Sequence, residues 1–425
     1  MKILIVTTFF PPLNSIASLR PYSWAKEWSR MGHEITILTT KKNVNPEVDL
    51  KYSQENFDLI EVDFFGQKLK KNVQIKNFKS KESNLLKKIF YFFRNRYGIF
   101  NACRMPDLTD LWILPAIQEI KKKNQTWDVV ISTAGPYSAH IIGYLLKKKL
   151  IATRWIADYR DTWSDNYIYP GIFPFNIFEK ILEKKLLKKS DLITTVSDPF
   201  KIQFEKKIPG KTILTVHNGF DPEDFYLIDP NFAFENNRKY RIVHTGSLYL
   251  DHRDPTPLFQ AIKELSDDLS TSQILDKLEV LFVGLNHANL EQLIIKYDVD
   301  KWVKCKNIVS RNKALAMQRD AHLLLFLPWN DPKIDGVLTG KIFEYLYSKT
   351  PIISIGCNFV EASQELIFKM GAGKSYTSIK KIKEFLLEEL NTFNKKITSI
   401  DPLKLECYDR RVIAKKFYES IAKLA

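Results

Sequence analysis

The sequence predicts an α/β protein made of two doubly wound domains, and three observations carry that prediction. Short apolar runs recur along the chain, each followed by a glycine-bearing or small-residue loop and then by helical periodicity. The 425 residues exceed one ordinary core and suit two domains of roughly 200 residues each. A polar stretch from Asp221 to Tyr240, holding Pro222, Pro230, Asn236 and Asn237, separates two halves that repeat one pattern. The expected layout is a first domain over 1–225, a linker at 226–240 and a second domain over 241–400. A terminal helix at 401–425 is expected to pack back toward the first domain. In such sheets ligands sit beyond the strand C-termini, so the loops of both domains are expected to face one central cleft.

The first half opens with a strand at 2–8, a loop from Phe9 to Ser18 and a helix to about Met31. Gly32-His33-Glu34 then leads into a strand at Ile35–Thr39, with the glycine as helix cap. The apolar start is too short, and too soon cut by Pro11 and Pro12, for a convincing signal peptide. From Asp128 the pattern resumes with a strand at Val129–Ser132, the Gly135-Pro136 turn, a helix to Lys149 and a strand at Arg154–Ala157. This last strand runs into Asp158-Tyr159-Arg160-Asp161, which crowds charges at the edge where α/β sites are built. A structural Asp-Arg pair is the plain alternative. Likewise Asn14 and Ser15, followed by Arg20, are either a ligand loop or a helix cap. Between these parts, Leu85–Arg96 alternates basic and aromatic residues. Such a stretch either lies on an anionic membrane or is simply core.

The second half places strands at Arg241–His244, Val280–Val283, around Val303, at Leu323–Phe326 and at Pro351–Ile355. Its most informative stretch is Val337-Leu338-Thr339-Gly340-Lys341-Ile342-Phe343-Glu344, a small-residue loop entering a helix. A helix N-terminus offers unbonded N–H groups and a positive dipole end to a phosphate. Lys341 adds a full charge there. Glu344, about one turn on, lies where a carboxylate takes hydrogen bonds from a ribose diol. An ordinary surface pair is the alternative.

Composition narrows the function. Hydrophobic residues at 45% and charged residues at 27% are globular values, while the net charge of +15 favours a phosphate-rich partner without choosing among nucleotide, nucleic acid and membrane. The four cysteines form no CxxC pair, which points to a reducing cytoplasm and away from zinc or disulfides. No run approaches the roughly 20 apolar residues of a membrane span, so membrane contact is expected to be peripheral. Asp298-Val299-Asp300 spells a metal-binding DxD but falls in a helix-to-strand turn. Gly371-Ala372-Gly373-Lys374-Ser375 mimics the end of a P-loop without its first glycine. No GxGxxG dinucleotide fingerprint occurs.

In order along the chain, Phe10-Pro11-Pro12, Gly32-His33-Glu34, Asp158-Tyr159-Arg160-Asp161-Thr162-Trp163, Thr195-Val196-Ser197, Asn218-Gly219-Phe220-Asp221, Gly246-Ser247-Leu248-Tyr249 and Gly340-Lys341-Ile342-Phe343-Glu344-Tyr345 resemble glycosyltransferase family 4. These are retaining enzymes of GT-B architecture that use nucleotide sugars. The resemblance runs nearly end to end. It implies a hexosyl- or N-acetylhexosaminyltransferase with an acceptor-side first domain and a donor-binding second domain. The implied catalytic groups are Asp158, Asp161, Lys341 and Glu344. Gly246, Ser247, Arg253, Leu338, Thr339 and Gly340 would hold the donor, and Asn14, Ser15 and Arg20 would face the acceptor. Where the family often has a further glutamate, this chain has Gly336, beside Asp335. Where it has an arginine, this chain has Ser247, and Arg253 is the candidate replacement. No cofactor or metal is implied, the leaving phosphate itself taking the acceptor proton. The implied partners are a nucleotide sugar, a glycan or lipid-linked acceptor and an anionic membrane face, with no nucleic acid. The implied setting is bacterial surface-polysaccharide assembly at the inner face of the cell membrane. A nucleotide-sugar epimerase of the same architecture and a non-enzymatic binder of membrane or nucleic acid are the competing classes.

Overall fold

The computed structural model describes residues 1–425 except 43–44, 46–48, 54, 67–84, 235–237, 247, 249–251, 285–287, 330, 332–333, 335, 357–359 and 425. Two compact units emerge. The first comprises Met1–Val44, Lys51–His217 and Ile413–Ala425, and the second Asn45–Leu50 and Asn218–Val412.

The first unit is built on a parallel sheet whose strands are β1 (Lys2–Val6), β2 (Glu34–Thr40), β3 (Asp58–Val62), β4 (Trp127–Thr133), β5 (Ala152–Tyr159), β6 (Leu192–Thr195) and β7 (Ile213–Thr215). Their spatial order is β3-β2-β1-β4-β5-β6-β7. The order reverses between β1 and β4, which pair from Ile3 with Val129 to Val6 with Ser132. Parallel strands are covered on both faces, and β1 is accordingly buried from Ile3 to Val6 without alternation. One face carries Leu4, Val130, Trp155 and Leu187, the other Ile3, Trp24, Trp28 and Ile156. The helix Arg410–Ala422 completes the second face: Phe417 meets Trp24 edge-on at 5.1 Å, and Trp28 Nε1 donates to the Ala414 carbonyl at 2.9 Å.

The second unit repeats the design with β8 (Tyr240–Thr245), β9 (Leu278–Val283), β10 (Val303–Lys306), β11 (Leu323–Phe326), β12 (Ile352–Ile355) and β13 (Gly373–Tyr376). The order is β10-β9-β8-β11-β12-β13, all parallel, with the reversal between β8 and β11. Residues 226–240, expected as a linker, lie within this unit, and the chain changes unit after His217. The polar composition there hides apolar anchors: Ile228 and Phe234 are buried, and Arg241 lies over the Phe234 ring at 4.4 Å. The P-loop mimic runs from the turn at Gly371 into β13 and opens no helix.

Candidate functional site

The C-terminal ends of β8 and β11 meet where the strand order reverses, the position at which α/β sheets open a crevice for ligands. The helix Gly340–Ser348 docks there because Tyr345 Oη accepts the Thr245 backbone N–H at 2.9 Å. Beyond β8, Gly246 takes φ +104°, and any Cβ there would also lie 3.2 Å from Lys341 Nζ. The positive φ favours glycine, and any larger residue would press on the Lys341 amine. Beyond β11, the Leu327 carbonyl accepts from Arg253 Nη1 at 2.8 Å, and Arg253 lies over the Trp329 ring at 5.1 Å.

Lys341 is the second residue of its helix and is 7% exposed. Its Nζ lies 3.3 Å from His244 Nε2. His244 Nδ1 lies 3.0 Å from the Leu325 carbonyl, which can only accept, so Nδ1 carries the proton and Nε2 offers its lone pair to Lys341. Burial drives the Lys341 ammonium well below the ordinary lysine range, and the charge of Arg253 drives it further, against an opposing pull from Glu344. The helix has no acidic residue in its first turn to answer its positive end. Its N-cap, Thr339, makes no capping bond, and Thr339 Oγ1 is buried with no partner among the described residues. A buried cation, a positive helix end and an unbonded hydroxyl therefore converge on one spot. An anion with acceptor oxygens satisfies all three.

Glu344 is buried on the next turn and held from two sides. Arg311 Nη1 donates to Oε1 at 2.7 Å and Gln318 Nε2 to Oε2 at 3.4 Å. Arg311 also grips Asp224 at 2.7 Å. Burial alone would lower the Arg311 pKa, but Glu344 and Asp224 together hold it above its usual value. The Glu344 carboxylate is thus fixed in place, and its remaining lone pairs are those a diol would use.

The corresponding reversal in the first unit is arranged differently. Asp158, expected beside the reacting sugar, and Arg20, expected beside the acceptor, are bonded to each other: Arg20 Nη2 to Oδ1 at 2.7 Å and Nε to Oδ2 at 3.1 Å. Thr194 Oγ1 donates to Oδ1 at 2.6 Å, and Arg20 Nη1 donates to the Val216 carbonyl at 2.6 Å. Asp158 is fully buried and Arg20 2% exposed. Burial alone would raise the Asp158 pKa, but the Arg20 charge and the hydrogen bonds from Arg20 and Thr194 hold it below the usual carboxylate value. Asp158 is thus answered by Arg20 from the first helix, while its neighbour Arg160 donates to the Ala134 carbonyl at 2.9 Å. Asp161 is exposed and accepts from Tyr167 Oη at 3.0 Å. Ser15 caps the helix Ile16–Arg30, its Oγ accepting from Ala17 N at 3.1 Å, while Asn14 is half-buried beside it.

No protein-family profile and no curated protein sequence matches the chain. Solved structures do match it. Sucrose-phosphate synthase from Thermosynechococcus elongatus superposes with a TM-score of 0.68 at 11% identity, covering 100% of this chain and 99% of that one. A glycosyltransferase from Rickettsia africae gives 0.63 at 14% identity, covering 100% and 98%. A UDP-N-acetylglucosamine 2-epimerase assignment from Listeria monocytogenes gives 0.55 at 12%, covering 99% and 95%. The fold is that of the GT-B glycosyltransferases.

On that fold, Gly246, Arg253, Lys341 and Glu344 gather at the β8/β11 reversal, with Leu338, Thr339 and Gly340 leading into the helix. The Leu338 carbonyl accepts from Asn218 Nδ2 at 3.3 Å. Ser247 and Asp335 lie outside the described residues. Gly336 takes φ +97°, so a glutamate at that position would be strained. The DxD falls in the turn before β10, with Asp298 bonded to Lys263 at 3.0 Å. In the helix Leu85–Tyr97, Phe92 is 58% exposed and so outside the core, while the side chains of Lys87 and Lys88 lie outside the described residues. The sequence reading missed His244, Arg311 and Gln318. Arg311 carried a signal: an arginine at the first position of a helix opposes the dipole and calls for carboxylates nearby.

Proposed function

We propose that this protein is a retaining glycosyltransferase that moves a hexosyl or N-acetylhexosaminyl group from a nucleotide sugar to a glycan or lipid-linked acceptor in bacterial surface-polysaccharide assembly. The observation that carries the proposal is the buried Lys341 ammonium at a helix N-terminus, 3.3 Å from a neutral His244 nitrogen and beside the bare backbone of Gly246. Breaking the bond between sugar and diphosphate leaves negative charge on the leaving oxygen. Lys341, the helix N–H groups and Arg253 answer that charge as it develops. Glu344, immobilised by Arg311, takes the ribose hydroxyls. The acceptor hydroxyl loses its proton to the departing phosphate, so neither a protein base nor a metal ion is required.

Titration with UDP, GDP and ADP tests the donor site. At least one nucleoside diphosphate binds the wild type, and Lys341→Ala loses that binding. Failure of every nucleotide to bind overturns the proposal. The likeness to the Listeria structure favours one second reading, epimerisation of the donor. Incubation of the nucleotide sugar without acceptor separates the two, since an epimerase converts it and a transferase leaves it unchanged.

A further inference from the structure

The helix Phe175–Lys189 is built with its polarity reversed. Its inward positions are Glu179, Glu183, Leu186 and Leu187, all buried. Glu179 pairs with Arg104 at 2.7 Å and accepts from Trp163 Nε1 at 3.2 Å. Glu183 pairs with Lys207 and accepts from Ser164 Oγ. Ionic anchors therefore share with Leu186 and Leu187 the side that an ordinary surface helix fills with apolar residues alone. The apolar residues of its first half point to water: Ile177 is 52% exposed, Phe178 52% and Ile181 64%, with Phe173 at 74% just before the helix. One turn spacing carries the same outward stripe onto Lys184, Lys185 and Lys188, all exposed. Single exposed apolar residues are ordinary, but a contiguous set at one helix end marks a contact surface. The carboxylates around it are already taken, Glu179 by Arg104, Glu183 by Lys207, and Asp191 by Lys147 at 2.7 Å.

We propose that this face docks on an anionic lipid bilayer, with Ile177, Phe178, Ile181 and Phe173 entering the headgroup boundary and Lys184, Lys185 and Lys188 meeting the lipid phosphates. Charge selects this occupant. A second copy of a chain of net charge +15 would set lysines against lysines, whereas an anionic surface matches the cationic half and accepts the apolar half. The inference deepens the lipid-linked-acceptor part of the proposed function, because it places a membrane contact on the same unit as the acceptor side. It does not depend on the donor site.

Flotation of the full chain with vesicles tests it directly. Wild type floats with vesicles of equal parts phosphatidylcholine and phosphatidylglycerol and stays down with phosphatidylcholine alone. Ile177→Ser/Ile181→Ser and Lys184→Glu/Lys188→Glu each lower the bound fraction about tenfold or more. All four side chains are exposed, so melting temperature and nucleotide binding are unchanged in both variants. Added salt weakens the wild-type binding without abolishing it. Absence of flotation on the anionic vesicles sinks the proposal, as does equal flotation of the wild type and both variants. A dimer in sedimentation that Ile177→Ser/Ile181→Ser dissolves, without vesicle binding, gives the face to a second copy instead. Nucleotide binding without flotation removes this surface and leaves the donor site standing; flotation without nucleotide binding does the reverse.

Discussion

At the point where each sheet reverses its strand order, both units bury charged side chains, and they settle them in opposite ways. In the first unit Arg20 and Asp158 neutralise each other through two hydrogen bonds, and Thr194 and the Val216 carbonyl take up further valences. In the second, the carboxylate nearest the helix entry, Glu344, is bonded to Arg311, while Lys341 is bonded to a neutral imidazole. In the first unit the buried cation and the buried carboxylate answer each other directly. A buried ammonium at a positive helix end, its pKa driven down by its surroundings, is held at a cost that an arriving anion relieves. Strand-end geometry alone therefore does not identify a ligand site; the charge balance inside it does.

The comparison breaks most visibly under paired substitutions. Removing Arg20 leaves Asp158 buried and unpaired, so Arg20→Ala is expected to cost about 3–5 kcal/mol of stability, read from chemical denaturation. Lys341→Ala should do the opposite: it keeps or raises the melting temperature and lowers turnover roughly 100- to 1,000-fold, the scale of losing one donor to a developing anion. If Lys341→Ala unfolds the protein while Arg20→Ala stays stable and loses activity, the roles assigned to the two sites are reversed. A smaller effect is expected at Glu344. Glu344→Gln weakens nucleotide binding about tenfold, within the range of a hydrogen bond to a charged group, and a 2′-deoxynucleotide shows little further loss in that variant. An undiminished 2′-deoxy penalty in Glu344→Gln would place the ribose elsewhere.

Acidity sharpens the contrast further. The folded Lys341 pKa lies below the unfolded value near 10.5, so the unfolded chain holds that proton more firmly. Between the two values the stability of the unliganded protein rises with pH, and this part of the rise disappears in Lys341→Ala. A bound diphosphate favours the charged form and raises the Lys341 pKa, so as pH climbs toward that range nucleotide binding takes up protons and weakens. Calorimetry in buffers of different ionisation enthalpy measures that uptake, and zero uptake, or release, contradicts the charge assignment. The smallest expected effect is that of EDTA, since Lys341 and the helix end stand where a cation would act. Turnover that vanishes with chelation and returns with manganese or magnesium would overturn metal-independent transfer.

Fold class and strand positions were legible because parallel strands buried on both faces write themselves as continuous apolar runs. Val280–Val283 and Leu323–Phe326 are examples, each ended by a loop. The helix entry at Gly340 was legible for a similar reason: Gly340, Lys341 and Glu344 are neighbours on one helix, and helical spacing is a local property. Residues that act across the fold were not. Arg311 reaches Glu344 from a separate helix, and His244 reaches Lys341 from a strand 97 positions away. The bond between Arg20 and Asp158, 138 positions apart, was equally hidden, because pairing at that distance leaves no spacing signal. The sequence by itself determined the parallel sheets, their order along the chain and the helix entered from a small-residue loop with a lysine at its start, all fixed by periodicity and local backbone chemistry. Only the tertiary structure decided which buried charges face an opposite charge and which do not, because charge balance depends on distances that folding sets between residues far apart in the chain.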